Sequence, residues 1–136
     1  MEKNIDLQCH TTASDGALTP KQLISLAIKK KLKAIAITDH DSVNGIDEAL
    51  RTAKGRIEIV PGVEISCDDK GFVDTHILGL FINHKNKVLN SLLKKAKKYR
   101  EQQKKDIIKK FQKLGFKISY NEVRGITKGE IGRPHI

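Results

Sequence analysis

The chain has 136 residues, of which 38% are hydrophobic and 31% charged, and its formal net charge is +10. This is an ordinary composition for one soluble globular domain with its own core. No apolar run approaches the ~20 residues that span a bilayer, and the opening MEKNID lacks the apolar stretch of a signal peptide. Since Cys9 and Cys67 form no disulfide framework, we expect free thiols in a cytoplasmic protein.

Strand-like and helix-like segments alternate along the first half of the chain. Thr19 followed by Pro20 has the pattern of an N-cap with proline at the first helical position. In chain order, the pattern predicts a strand at 5–9, a helix at 20–31, a strand at 33–38, a helix at 45–53, and strands at 57–62 and 73–82. Strands separated by helices imply right-handed crossovers and a parallel sheet. The predicted fold class is therefore α/β.

A long amphipathic helix is predicted from Val88 to Leu114, ended by Gly115. Lysines fill its polar face, and they far outnumber the acidic residues of the segment 85–117. Such a helix can meet phosphates, RNA or an acidic membrane surface, and it can equally be a solvated helix face. Beyond it, Ser119 and Glu122 have the spacing of a capping box for a short helix.

Histidines and carboxylates follow one predicted strand after another. They are His10 and Asp15 after the first strand, Asp39, His40 and Asp41 after the second, Glu64 after the third and His76 in the fourth. A single His beside an Asp is usually a structural pair. Because parallel strands place their carboxyl ends at one rim, the repetition predicts a metal site. Mixed nitrogen and oxygen ligands fit Zn, Mn or Fe, and Asp39 or Asp41 is expected to orient a ligand imidazole.

Five short motifs resemble, in order and spacing, those of the polymerase-and-histidinol-phosphatase (PHP) family. They are DLQCHTTASDG, ITDHDSVNG, PGVEIS, THILGL and GRPHI, and the resemblance runs from residue 5 to the last residue. It implies part of a distorted (β/α)7 TIM-like barrel with a long helical insertion, up to three divalent ions and phosphoesterase activity. Within the family, GRPHI after a basic helical insertion resembles the branch that acts on nucleotide phosphates and short RNA.

The resemblance also implies roles for individual residues. The positions that match family metal ligands are His10, Asp15, His40, Glu64 and His76, with Gln8 where the family has its first histidine. Asp15 and His40 are expected to be catalytic. Arg133 matches a phosphate-binding arginine and Arg100 matches another, whereas Gln103 replaces the second arginine of that helix motif. His135 receives no role, His84 is expected to be a surface residue at a strand end, and Cys9 is expected to pack in the core.

Two departures from the family pattern bear on activity. The Gln8 amide is a neutral and weaker donor than imidazole, so one metal position should be weakened or lost. The family's carboxy-terminal Asp-x-His ligands are absent, and such a barrel needs roughly 200 residues or more. We therefore expect a fragment with fewer than three ions and weak or no activity alone. Its predicted parts are the barrel's amino-terminal part at 1–84, the insertion at 85–128 and the start of the next barrel segment at 129–136.

The predicted function is metal-dependent hydrolysis of a phosphomonoester or terminal phosphodiester of a nucleotide or short RNA by metal-activated water. No membrane and no obligate protein partner are expected. One alternative is a non-catalytic nucleic-acid-binding module that uses residues 85–117, with salt-dependent and metal-independent RNA binding. Another is an amidohydrolase, whose barrels also carry paired histidines after the first strand. Chelator-sensitive release of phosphate from a nucleotide would separate the three.

Overall fold

The computed structural model describes residues 4–69, 72–127 and 129–131. The elements in chain order are β1 (Ile5–Cys9), α1 (Pro20–Lys29), β2 (Ala34–Ile37), α2 (Ile46–Ala53), β3 (Glu58–Asp69), β4 (Phe72–Leu80), α3 (Lys87–Lys113) and α4 (Tyr120–Gly125). They form a four-stranded sheet in the order β1-β2-β3-β4, with the helices packed around it. The predicted order of strands and helices is confirmed.

The first three strands are parallel, but β4 runs antiparallel to β3. The prediction of a parallel sheet is therefore wrong for β4. A parallel crossover needs a dozen or more residues, usually with a helix. Because β3 continues to Asp69 and β4 begins at Phe72, the chain has no room for one. The predicted end of the third strand at residue 62 was too early.

The main core lies on β2, whose four residues are all buried. Ile35 and Ile37 of this strand pack with Ile24 of α1, Ile46 of α2 and Val63 of β3. Such continuous burial is characteristic of a strand in a parallel sheet covered by helices. The core fixes the carboxyl ends of β1, β2 and β3 beside one another.

The helix ends follow the capping chemistry of the sequence. Thr19 and Gln22 form a reciprocal capping box at α1, and Ser119 and Glu122 form another at α4. Beyond α3, Gly115 adopts φ +93°, the left-handed conformation in which a glycine commonly ends a helix. The predicted caps are confirmed.

A second, smaller core lies along the carboxy-terminal half of α3. Ile108 packs there with Val123 of α4 and with Ile131. Beside them the ammonium of Lys104, itself buried, lies 2.9 Å from the Glu101 carboxylate. Among the described residues, no helix is both long and apolar enough to cross a membrane.

Candidate metal centre

The strand ends bring three of the predicted ligands together. His10 follows β1, His40 follows β2, and Glu64 lies in β3, where it forms a bridge with His40. Their candidate ligand atoms all lie within 4.8 Å of one another. The ring centroids of His10 and His40 are 4.4 Å apart, and those of His40 and His76 are 4.8 Å apart. The convergence predicted from the parallel strands is therefore present.

Glu64 is the hub of this cluster. One carboxylate oxygen lies 2.7 Å from Nε2 of His10 and 3.3 Å from Nε2 of Gln8, and the other lies 2.7 Å from Nδ1 of His76. Burial raises the pKa of Glu64, but the neighbouring His40 ring and hydrogen bonds from Gln8, His76 and His10 together bring it below its ordinary value. Glu64 is therefore a carboxylate at neutral pH, the form that ligates a metal.

Asp15 lies on the other side of His10. Its carboxylate is 3.1 Å from Nδ1 of His10, and this hydrogen bond lowers the pKa of Asp15 to about 2 while raising that of His10. A carboxylate on the second nitrogen of an imidazole fixes the tautomer and orientation of the ring. The described geometry thus places Asp15 as a partner of His10, and its ligand and catalytic roles stay predictions.

His40 provides the test of whether these residues suit a metal. Its Nδ1 atom is buried and has no hydrogen-bond partner among the described residues. Leaving a buried polar atom unpaired costs about 1–3 kcal/mol, which coordination of a cation would offset. Burial and then the charge of Arg100 lower the pKa of His40, so its imidazole is neutral and has a lone pair to donate. The donor set of two imidazoles and a carboxylate fits Zn, Mn or Fe.

The Asp39 carboxylate hydrogen-bonds to the loop that follows β1, and among the described contacts it meets no imidazole. Its fully buried carboxylate accepts hydrogen bonds from the backbone N–H of Thr11 at 2.6 Å, the Thr11 hydroxyl at 2.7 Å and the Ser14 hydroxyl at 2.6 Å. Asp41 accepts from the Ser66 N–H and from Arg100. The expectation that either aspartate orients a ligand imidazole is therefore wrong.

Sequence reasoning missed Thr11 and Ser14 as supports of the site. Both are fully buried, and their hydroxyls reach Asp39 across the sheet edge. Gly16 completes the turn, since a Cβ there would lie 2.5 Å from the carbonyl group of His10. The run of small and hydroxylated residues at 11–16 was the available signal, because buried hydroxyls require acceptors.

Arg100 reaches the rim from α3. Its Nη1 atom donates to the Asp41 carboxylate at 3.2 Å, and its side chain is 16% exposed. Gln103 is exposed, one turn further along α3. Arg133 and His135 lie outside the described residues. The phosphate-binding roles of Arg100 and Arg133 stay predictions.

Two further side chains lie outside the cluster. His84 follows β4 as expected, but its side chain is 16% exposed rather than at the surface, and it lies 3.0 Å from the exposed Asp47 carboxylate. Cys9 is half-buried and packs against the main core, and burial raises the pKa of its thiol to about 12. Because thiolate is the form that ligates metals, Cys9 is not a ready ligand.

Gln8 lies at the rim, as strand alternation predicts. It is exposed and donates to the same Glu64 oxygen that lies 2.7 Å from His10. We expect Gln8→His to raise the affinity for Zn²⁺ or Mn²⁺ by about tenfold or more, because imidazole is the stronger donor. Calorimetric titration of the ion measures this affinity.

The matched control is Gln103→His, the same change at an exposed glutamine of α3. It should leave the affinity unaltered. Equal affinity of the parent chain and the Gln8→His variant would show that Gln8 does not weaken the site.

The comparison with known families decides the assignment. The PHP domain profile matches residues 6–132. The chain belongs to the PHP family. Its α/β fold, with a curled mixed sheet and flanking helices, is half of the TIM-like barrel of PHP phosphoesterases, so the predicted family and fold class are confirmed.

Similar proteins carry phosphoesterase names. The PHP chain is 38% identical, over 99% of its length, to a 5'-3' exoribonuclease of Haemophilus influenzae, and it spans 49% of that protein. It is 40% identical, over 71% of its length, to a 3',5'-nucleoside bisphosphate phosphatase of Chromobacterium violaceum, of which it spans 34%. The chain thus spans about half or less of the length of these relatives.

A solved structure shares both the fold and the sequence pattern. It is described as an amidohydrolase from Chromobacterium violaceum with bound sulfate and no metal. The TM-score is 0.87 at 32% identity, over 97% of this chain and 47% of that one.

Proposed function

We propose that this PHP chain is the amino-terminal part of a metal-dependent phosphoesterase that hydrolyses a phosphomonoester or terminal phosphodiester of a nucleotide or short RNA. The observation that carries the proposal is the cluster of His10, His40 and Glu64, in which the buried Nδ1 of His40 has no partner among the described residues and the charge of Arg100 lowers the pKa of that ring. The names of the Haemophilus influenzae and Chromobacterium violaceum relatives support the substrate class. Sulfate in the similar solved structure supports a site for tetrahedral anions.

The described contacts suggest a role for each residue of the site. His10, His40 and Glu64 would hold the ion, with His76 and Gln8 against Glu64. A bound divalent ion would lower the pKa of a water molecule and neutralise charge on the phosphate. Asp15 would orient His10, and Arg100 would bind the phosphate through N–H groups that do not contact Asp41. The rest of the barrel, and the part of 129–136 that includes Arg133, would complete the site.

The proposal is tested by release of phosphate from adenosine 3',5'-bisphosphate and by release of phosphate or a terminal nucleotide from a 5'-phosphorylated short RNA. With Mn²⁺ present, we expect release that a chelator abolishes and added Mn²⁺ restores. If the encoded protein continues beyond residue 136, the full-length product is the sample. Release that is insensitive to the chelator would contradict the metal-dependent function, and so would salt-sensitive RNA binding without release.

Replacing Arg100 by alanine should weaken phosphate binding specifically. Losing a hydrogen bond to a charged group costs about 1.5–3 kcal/mol, or about 10- to 150-fold in kcat/KM. The control is Lys94→Ala on the exposed face of the same helix, where screening leaves little effect. Equal losses from the two variants would instead indicate that α3 acts as an undifferentiated basic surface.

A further inference from the structure

Asp41 connects three parts of the structure around the metal centre. It follows His40 directly and is 2% exposed. One carboxylate oxygen accepts from the Ser66 N–H of β3 at 3.1 Å, and the other accepts from Arg100 of α3 at 3.2 Å. Its own N–H donates to the Glu64 carbonyl at 2.9 Å. Asp41 is therefore fixed to the cluster by its backbone and to α3 by its side chain.

The backbone of Asp41 adopts the left-handed conformation. Its φ of +48° lies in the left-handed region, which side-chain-bearing residues other than Asn and Asp seldom adopt. Such conformations persist only where surrounding contacts over-determine them, and they cluster at functional sites. Here the three hydrogen bonds supply that constraint, and they aim the carboxylate at Arg100.

Arg100 has N–H groups that its described contact with Asp41 does not engage. A guanidinium has five N–H groups in a fixed fork, and the described contact with Asp41 engages only Nη1. Its positive charge is close enough to His40 to help lower the pKa of that ring, after the larger effect of burial. A side chain that is 16% exposed can still meet a ligand.

We infer that Asp41 is a positioning residue for substrate binding, one that holds the Arg100 guanidinium so that its remaining N–H groups meet the substrate phosphate at the metal centre. This inference rests on the proposed phosphoesterase function. Asp41 also carries a negative charge that competes with phosphate for Arg100. Orientation outweighs this competition, because a long arginine side chain without a fixed partner must lose its rotamer freedom when phosphate binds.

A double-mutant cycle between Asp41 and Arg100 separates positioning from general structural support. Asp41→Asn keeps an oxygen acceptor for Ser66 and tolerates the left-handed backbone, but it removes the charge that holds Arg100. The measured quantity is the dissociation constant of inorganic phosphate by calorimetry with Mn²⁺, on the full chain, since phosphate is not hydrolysed during the titration. We expect about tenfold weaker binding in Asp41→Asn, unchanged Mn²⁺ affinity, and no further weakening when Asp41→Asn is added to Arg100→Ala.

The control is Asp47→Asn, the same change at an exposed carboxylate of α2, which should not alter the dissociation constant. If Asp41→Asn does not fold, Asp41→Glu decides, since it keeps the charge but displaces the carboxylate and should also weaken binding. Weakening that is equal with and without Arg100, or no weakening at all, would overturn the positioning role. A parent chain that binds phosphate no better than Arg100→Ala would instead overturn the proposed function, and the positioning role with it.

Discussion

Replacing Asp39 by alanine is expected to lower the free energy of unfolding by about 3–5 kcal/mol. The carboxylate is fully buried and accepts three hydrogen bonds of 2.6–2.7 Å from Thr11 and Ser14. Without it, one backbone N–H and two hydroxyl groups lose their acceptor in the interior. Urea denaturation followed by circular dichroism measures the change. Since these contacts hold the loop that carries Asp15, Mn²⁺ affinity should fall as well.

Asp47→Ala is the matched control for this prediction. Its carboxylate is about half exposed, with a side-chain exposure of 53%, and its described partners are His84 and Lys85. Surface changes of this kind stay within about 0.5 kcal/mol. If Asp39→Ala destabilises the protein no more than Asp47→Ala, the buried carboxylate does not support the loop as described.

Removing two members of the cluster together should abolish metal binding. His40→Ala combined with Glu64→Ala leaves only one of the three residues whose candidate ligand atoms lie within 4.8 Å of one another. It also removes the carboxylate that fixes His10 and His76. Since loss of a single supporting partner costs 10- to 100-fold in affinity, we expect retained metal to fall by more than about 100-fold. Elemental analysis of protein purified without chelator measures metal content.

His84→Ala provides the comparison for the double variant. It removes an imidazole that pairs with Asp47 outside the cluster, so metal content should stay at the parent level. Unchanged metal in the variant lacking His40 and Glu64 would mean that the ion binds elsewhere.

Much of the fold and the core of the site could be predicted because they depend on local patterns. The spacing of apolar residues predicted the strands and helices from β1 to α2. The capping residues Thr19 and Ser119 predicted where α1 and α4 begin. The meeting of His10, His40 and Glu64 follows from parallel strands that end at one rim. The direction of β4 depends on where β3 ends. The residues of β3 beyond position 62 mix apolar and polar side chains, so the sequence did not indicate that this strand continues to Asp69.

The roles of Asp39 and Asp41 could not be predicted because they depend on long-range contacts. Asp39 pairs with Thr11 from 28 residues away, and Arg100 reaches Asp41 from 59 residues away. Both aspartates flank a histidine in the same loop, so local sequence favours an imidazole as their partner. The backbone conformation that turns Asp41 toward α3 appears only in the folded chain.

Anomalous diffraction at the zinc edge, from crystals grown with Zn²⁺, tests the metal centre most directly. The account predicts an anomalous peak within the cluster, with the zinc ion about 2.0–2.2 Å from side-chain atoms of His10, His40 and Glu64. The peak should be missing from crystals of the variant without His40 and Glu64. A zinc ion bound elsewhere with this cluster empty, or the same peak in the double variant, would contradict it.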